Sequence, residues 1–112
     1  MNAEEALIES EAARLRFDPW KMRCWRESKG MTCQNVADAC GMIGRSALEV
    51  SRWETYRTAV GRNVLGRIAD AMGIPAESML SDRAEWDRNL LKYERWVLDK
   101  RPRLAAWLER NK

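Results

Sequence analysis

Residues Gly41 to Glu54 read GMIGRSALEVSRWE, and the reading of this stretch decides the fold. Ser46 stands three residues ahead of Glu49. At that spacing a serine hydroxyl accepts from the glutamate amide while the carboxylate reaches back to the serine amide. A helix is therefore expected to open at Ala47. Along it Val50 and Trp53 fall on one face, and Glu49, Arg52 and Tyr56 project elsewhere. One side is built to be laid on a core and the other to be left outside.

The flanking sequence supplies partners for that core. Upstream, Thr32 caps a helix with Val36, Ala37 and Cys40 inward and Gly41 at its end. Before it, Asp18 and Pro19 make an N-cap and first position for a helix from Pro19 to about Lys29, stopped by Gly30, with Met22 and Trp25 as core positions. Asn2 to Glu5 opens a first helix whose stripe Leu7, Ile8, Ala12 and Leu15 ends near Arg16, because the residue before a proline is pushed out of the α region. Downstream, the polar loop TYRTAVG leads to a helix from about Arg62 to Met72, striped by Val64, Leu65, Ile68, Ala69 and Met72 and ended by Gly73. Pro75 opens a short turn of helix through Leu80. Ser81-Asp82 caps a longer helix, Arg83 to Lys100, with Trp86, Leu90, Tyr93 and Val97 in one stripe and Leu91, Trp96 and Leu98 widening it. Pro102 starts the last helix, in which Leu104, Trp107 and Leu108 cluster. No strand-like alternation appears, so the fold class is all-α. A short helix with a basic outer face, entered by a glycine-containing turn, has the geometry of the second helix of a helix-turn-helix, which makes it a DNA-recognition candidate.

At 112 residues the chain is long enough for one modest core. Its net charge of +3 is unevenly spread: five acidic and two basic groups fall in residues 1–18, but eight basic and four acidic groups in residues 19–64. A basic block behind an acidic lead favours a polyanion partner, against the plainer alternative of a solvated helical surface. Cys24, Cys33 and Cys40 show no CxxC spacing, and there is no histidine, so no metal site is expected. Small buried filler is the favoured role for the thiols, with redox sensing the alternative. An odd cysteine count without an N-terminal apolar run points to a reducing cytoplasm. No apolar stretch approaches the ~20 residues that span a bilayer. No glycine-rich phosphate loop or nucleophile–base pair appears, so neither an enzyme nor a cofactor is expected.

The landmarks Arg26, Gly30-Met31-Thr32, Val36-Ala37 and Gly41, then Val50-Ser51-Arg52-Trp53-Glu54, then Leu65, Ile68-Ala69, Met72-Gly73-Ile74 and Leu80 resemble the phage repressor and Cro (XRE-like) helix-turn-helix family. The resemblance runs from Lys21 to Leu80. It implies a five-helix DNA-binding domain over residues 19–80, flanked by an N-terminal helix or arm (1–18) and a C-terminal helical extension (81–112). It implies a structural ion pair between Arg26 and Glu54. It also implies base readers at Ala47, Leu48 and Arg52; of these only Arg52 can fork onto a guanine edge, while Ala47 and Leu48 meet at most thymine methyls. Glu49 can accept from cytosine, in competition with its capping duty. The insert Ile43-Gly44-Arg45 makes the turn longer than the family's, so that Arg45 either enters the groove or binds phosphate, or the helix docks differently. Gln34, and by the same resemblance Tyr56, Arg57, Thr58 and Arg62, are candidates for sugar-phosphate contacts.

Beyond Leu80 the resemblance stops. The aromatic content there, with Trp86, Leu90, Tyr93, Trp96, Val97 and Trp107, suggests an interface, and dimerisation is preferred to plain core. The expected function is therefore a sequence-specific transcriptional regulator, a repressor rather than an activator, binding palindromic double-stranded DNA as a homodimer in a bacterial, phage or mobile-element setting. Its rivals are an antitoxin or anti-regulator module that binds protein, and an RNA-binding helix-turn-helix.

Overall fold

The computed structural model describes residues 15–41 and 47–111. The expected first helix up to residue 14, the turn Met42–Arg45 and the capping Ser46 lie outside the described residues; Leu15, expected in that helix's inner stripe, is exposed and not helical. Within them the chain is mostly helical: α1 (Pro19–Ser28), α2 (Cys33–Ala39), α3 (Ala47–Trp53), α4 (Arg62–Met72), a 3-10 turn (Ala76–Met79), α5 (Arg83–Lys100) and α6 (Pro102–Arg110). Local chemistry sets these boundaries. The Trp20 amide donates to Asp18 at 3.1 Å, with Pro19 in the first turn of α1. Thr32 and Asn35 cap α2 reciprocally, each amide donating to the other's side chain, at 2.9 and 3.0 Å, with asparagine where glutamate is usual. The Glu85 amide donates to Asp82 at 2.8 Å to open α5. Gly41 and Gly73 follow α2 and α4 at φ of 65° and 67°, a left-handed turn that a side chain would strain.

The core collects Met22 of α1, Val36 and Ala37 of α2, Val50 and Trp53 of α3, and Ile68, Ala69 and Met72 of α4, closed by Ile74 and Met79. Val64 and Leu65 pack half-buried at its edge. Trp25 departs from expectation. It is 37% exposed, and its indole N–H donates to the Ser78 carbonyl at 3.1 Å. Arg23 takes the buried side of α1 instead, its guanidinium between the rings of Trp20 and Trp96 at 4.3 and 4.1 Å and bonded to Glu27 at 2.7 Å. Two aromatic faces and a carboxylate replace part of the water it gives up; its Nε is buried without a hydrogen-bond partner among the described residues.

A second departure is a pair of two-residue strands: β1 (Arg16–Phe17) runs antiparallel to β2 (Leu80–Ser81). The chain is thus extended at Arg16, where the first helix was expected to reach. Beside this pairing lies Asp18, which is 0% exposed. Its amide donates to the Met79 carbonyl at 2.8 Å. Besides the Trp20 amide, its carboxyl oxygens accept from the Tyr56 hydroxyl at 2.6 Å, the Ser81 hydroxyl at 2.7 Å and the Asn89 amide at 2.7 Å. A carboxyl is tolerated inside because donors converge on it. Through Asn89, and through buried Tyr93 and Val97, α5 is built into the fold against α1, and α6 packs on α5. Ser81, Asn89, Tyr93 and Val97, in the stretch expected as an extension, contribute to the interior.

Candidate nucleic-acid interface

Helix α3 is held from beneath and at its C-terminal end. Val50 and Trp53 are buried in the core, and α2 packs along it. Glu54, just past its last turn, receives two bonds from Arg26: Nε to Oε2 at 2.6 Å and Nη2 to Oε1 at 2.9 Å. The third edge of that guanidinium donates to the Met31 carbonyl at 2.9 Å, so one side chain ties α1, the α1–α2 turn and the end of α3 together. Both partners are largely buried, and removing one leaves an uncompensated charge, at a cost of about 3–5 kcal/mol. The pair is an anchor. It is not exposed for recognition.

On the opposite side of α3, Leu48 (58% exposed) and Arg52 stand one turn apart on the solvent face. Ala47 and Glu49 are half-buried beside them. Arg45 lies outside the described residues, as does Ser46 and hence the capping box expected with Glu49. On α2, Gln34 is exposed, but its side-chain amide donates to Asp38 at 2.8 Å, which brings a carboxylate next to the position expected to meet phosphate.

The loop after α3 divides. Arg62, at the start of α4, is exposed, and Thr58 is half-buried. Tyr56 turns inward: its hydroxyl is given to Asp18, and its ring packs 4.9 Å from Trp86 and 5.1 Å from Tyr93. Burial, and then the bond to Asp18, push the phenol well above its ordinary range. The hydroxyl expected to grip phosphate is thus committed to the interior, because the short loop carries the ring beneath α5. Arg57 lies 4.9 Å over the Trp107 ring and donates to the Asn111 carbonyl at 3.2 Å. To meet a phosphate it has to leave α6.

The expected dimerisation residues are similarly redistributed. Tyr93 and Val97 are buried within the chain, so they are not available to a partner in this structure. Trp86 and Leu90 are half-buried, and half-buried Trp96 stacks on Arg23. Trp107 remains exposed, and Leu91 and Leu98, at 59% and 66% exposure, stand on the outer side of α5. The stripe Trp86, Leu90, Tyr93, Val97 is the inner face, and the residues thought to widen it include the outer one. Asn89, in the middle of that inner face, was the available signal: a polar residue there requires a buried partner.

The three cysteines are free; Cys33 and Cys40 are half-buried, as filler would be, but Cys24 is exposed, and burial is the largest cause raising each thiol above its ordinary value. Among the described residues no cluster of three or more carboxylates and thiols is placed to hold a metal, and no helix is long and apolar enough to cross a membrane. Comparison with protein-family models, with characterised proteins and with solved structures gave no match.

Proposed function

We propose that this protein is a sequence-specific DNA-binding regulator that inserts α3 into the major groove and acts as a dimer, most simply as a repressor. The observation that carries the reading is the two-sidedness of α3. Its inner face and C-terminal end are locked by Val50, Trp53 and the Arg26–Glu54 pair, and its outer face displays Leu48 and Arg52. A helix held rigidly from one side presents the other in a fixed register, which base readout demands. Arg52 has the fork to engage guanine, and Leu48 the bulk to meet a thymine methyl. Arg62, exposed at the start of α4, is the candidate for a sequence-independent phosphate contact. In this reading two copies join through the exposed side of α5 and α6, and a two-fold dimer calls for an inverted repeat, with half-sites ~34 Å apart if they are one helical turn from each other.

Selection of duplexes from a random-sequence pool by the purified full chain tests this. The expected product is an inverted repeat with a conserved guanine in each half-site, lost when Arg52 is replaced by alanine. A pool without enrichment at physiological salt overturns the reading. The exposed apolar residues Leu91, Leu98 and Trp107 favour a second reading, a protein-binding module. It predicts a different protein bound stoichiometrically, retained by Arg52→Ala and lost by Leu91→Glu with Leu98→Glu.

A further inference from the structure

Arg57 stands three residues past Glu54, the clamped end of α3, so its backbone lies within about 11 Å of the proposed recognition helix. Its side chain is held by another element. The guanidinium lies 4.9 Å over the Trp107 ring, and Nη2 donates at 3.2 Å to the carbonyl of Asn111, just past the last residue of α6. Both contacts suit a cation, since the face of an indole is negative and so is the C-terminal end of a helix. Arg57 also shares the space between α5 and α6 with Glu94 and Glu109, so a phosphate approaching it there meets carboxylates as well. The element that holds it is itself lightly held. No residue of α6 is buried: Leu104, Ala105 and Leu108 are half-buried, and Trp107 is 44% exposed. Arg101 alone separates α6 from α5, and Pro102, with no amide to continue the α5 ladder, starts it.

We infer that α6 is an autoinhibitory arm: docked, it keeps Arg57 on Trp107 and Asn111 and off the sugar-phosphate chain, and DNA has to displace it to gain that contact. The exchange is a close one, an exposed cation–π pair and one hydrogen bond given up for a charge-assisted bond to phosphate. Because the withheld contact carries no base information, the arm lowers affinity for all duplexes alike and leaves Arg52 to tell them apart. This regulation rests on the DNA-binding reading of α3.

The full chain and three variants, Trp107→Leu, Arg57→Gln and the two combined, are titrated onto a selected duplex and a random one over a range of salt concentrations. Trp107→Leu keeps the apolar bulk of an exposed position and removes the face that holds the guanidinium, so the fold is retained. It is expected to tighten binding to both duplexes by about two- to fivefold, the equivalent of one exposed cation–π pair. Arg57→Gln should weaken both duplexes alike and flatten the dependence of log K on log salt by about 0.9, one phosphate contact. In the Arg57→Gln background Trp107→Leu should change nothing. The release itself is read by NMR: the Arg57 side-chain signals carry the ring-current shift of Trp107 in the free chain and should lose it when duplex is added. The inference is overturned if Trp107→Leu binds no tighter than the wild type, if it tightens binding equally without Arg57, or if the ring-current shift persists in the complex. A wild type that binds no duplex loses the DNA reading and the arm together. A wild type that selects DNA, beside an Arg57→Gln variant that binds as tightly, loses the arm alone.

Discussion

Asp18 shows how much one residue can hold. Its side chain satisfies donors from positions 2, 38, 63 and 71 residues away, and its amide closes the connection to Met79. Asp18→Ala orphans the Tyr56 hydroxyl and the Asn89 amide as well as the α1 cap, while the Ser81 hydroxyl keeps Glu85 as an acceptor; each orphaned donor is worth about 1–3 kcal/mol when buried. Partial entry of water limits the sum, and a loss of about 3–5 kcal/mol is expected, read as a fall in the urea midpoint. A change below about 1 kcal/mol contradicts the role. Arg26→Ala is expected to cost about 3 kcal/mol or more, by stranding Glu54. The double replacement of Arg26 and Glu54 by methionine should recover much of that, since it removes both charges together; if it is no better than the single variant, stranding is not the cause. Tyr56 adds a pH dependence. Burial and Asp18 raise its folded-state value, and burial also raises Tyr93, so in both the native state favours the protonated phenol. The stability they contribute is fully present below ~10, the unfolded value, and is lost as pH rises beyond it. Tyrosinate absorbance should accordingly grow together with loss of helical ellipticity; simple titration near the free value with the helices intact would rule this out.

At the scale of elements, α3 and α5 illustrate opposite uses of amphipathicity. Seven residues of α3 are too few to be stable alone, and its order comes from Val50, Trp53 and the bidentate clamp on Glu54. Arg52 stays exposed, where a ligand can engage it. Arg52→Ala is expected to lose about 1–3 kcal/mol of discrimination between selected and random duplex while weak binding persists and falls steeply with salt. Competition assays at two salt concentrations measure both quantities, and an unchanged preference excludes Arg52 as a reader. The 18 residues of α5 carry aromatic side chains on their inner face and leucines on the outer. Both faces are apolar in part, so periodicity finds the helix without saying which side turns inward. Asn89 decides it, by reaching a carboxyl that only the inner side can meet.

On the scale of the whole molecule, α5 is part of the folding unit, and α6 packs on it. It is α5 that furnishes Asn89 to Asp18, Tyr93 to the ring cluster with Tyr56, and Trp96 to the Arg23 sandwich. Truncation after Leu80 also removes Ser81, half of β2, and with it the strand pairing. The truncated chain should lose its cooperative thermal transition; if residues 1–80 melt sharply with an unchanged helix content per residue, α5 and α6 are accessory after all. The helix positions, their caps at Asp18, Thr32 and Asp82, the glycine stops and the inner stripes of α3 and α4 were legible in the amino-acid sequence, because each depends on residues within about a turn of one another. The sequence alone could not say that Asp18 is more than a cap, that Tyr56 and Arg57 fold toward α5 and α6, that Arg23 and not Trp25 lies inside, or that two residues on either side form a strand pair. Those outcomes rest on donors, acceptors and rings that are far apart along the chain and meet only once the helices have packed, when a buried polar group such as the Asp18 carboxyl is satisfied by whichever partners the fold has brought to it.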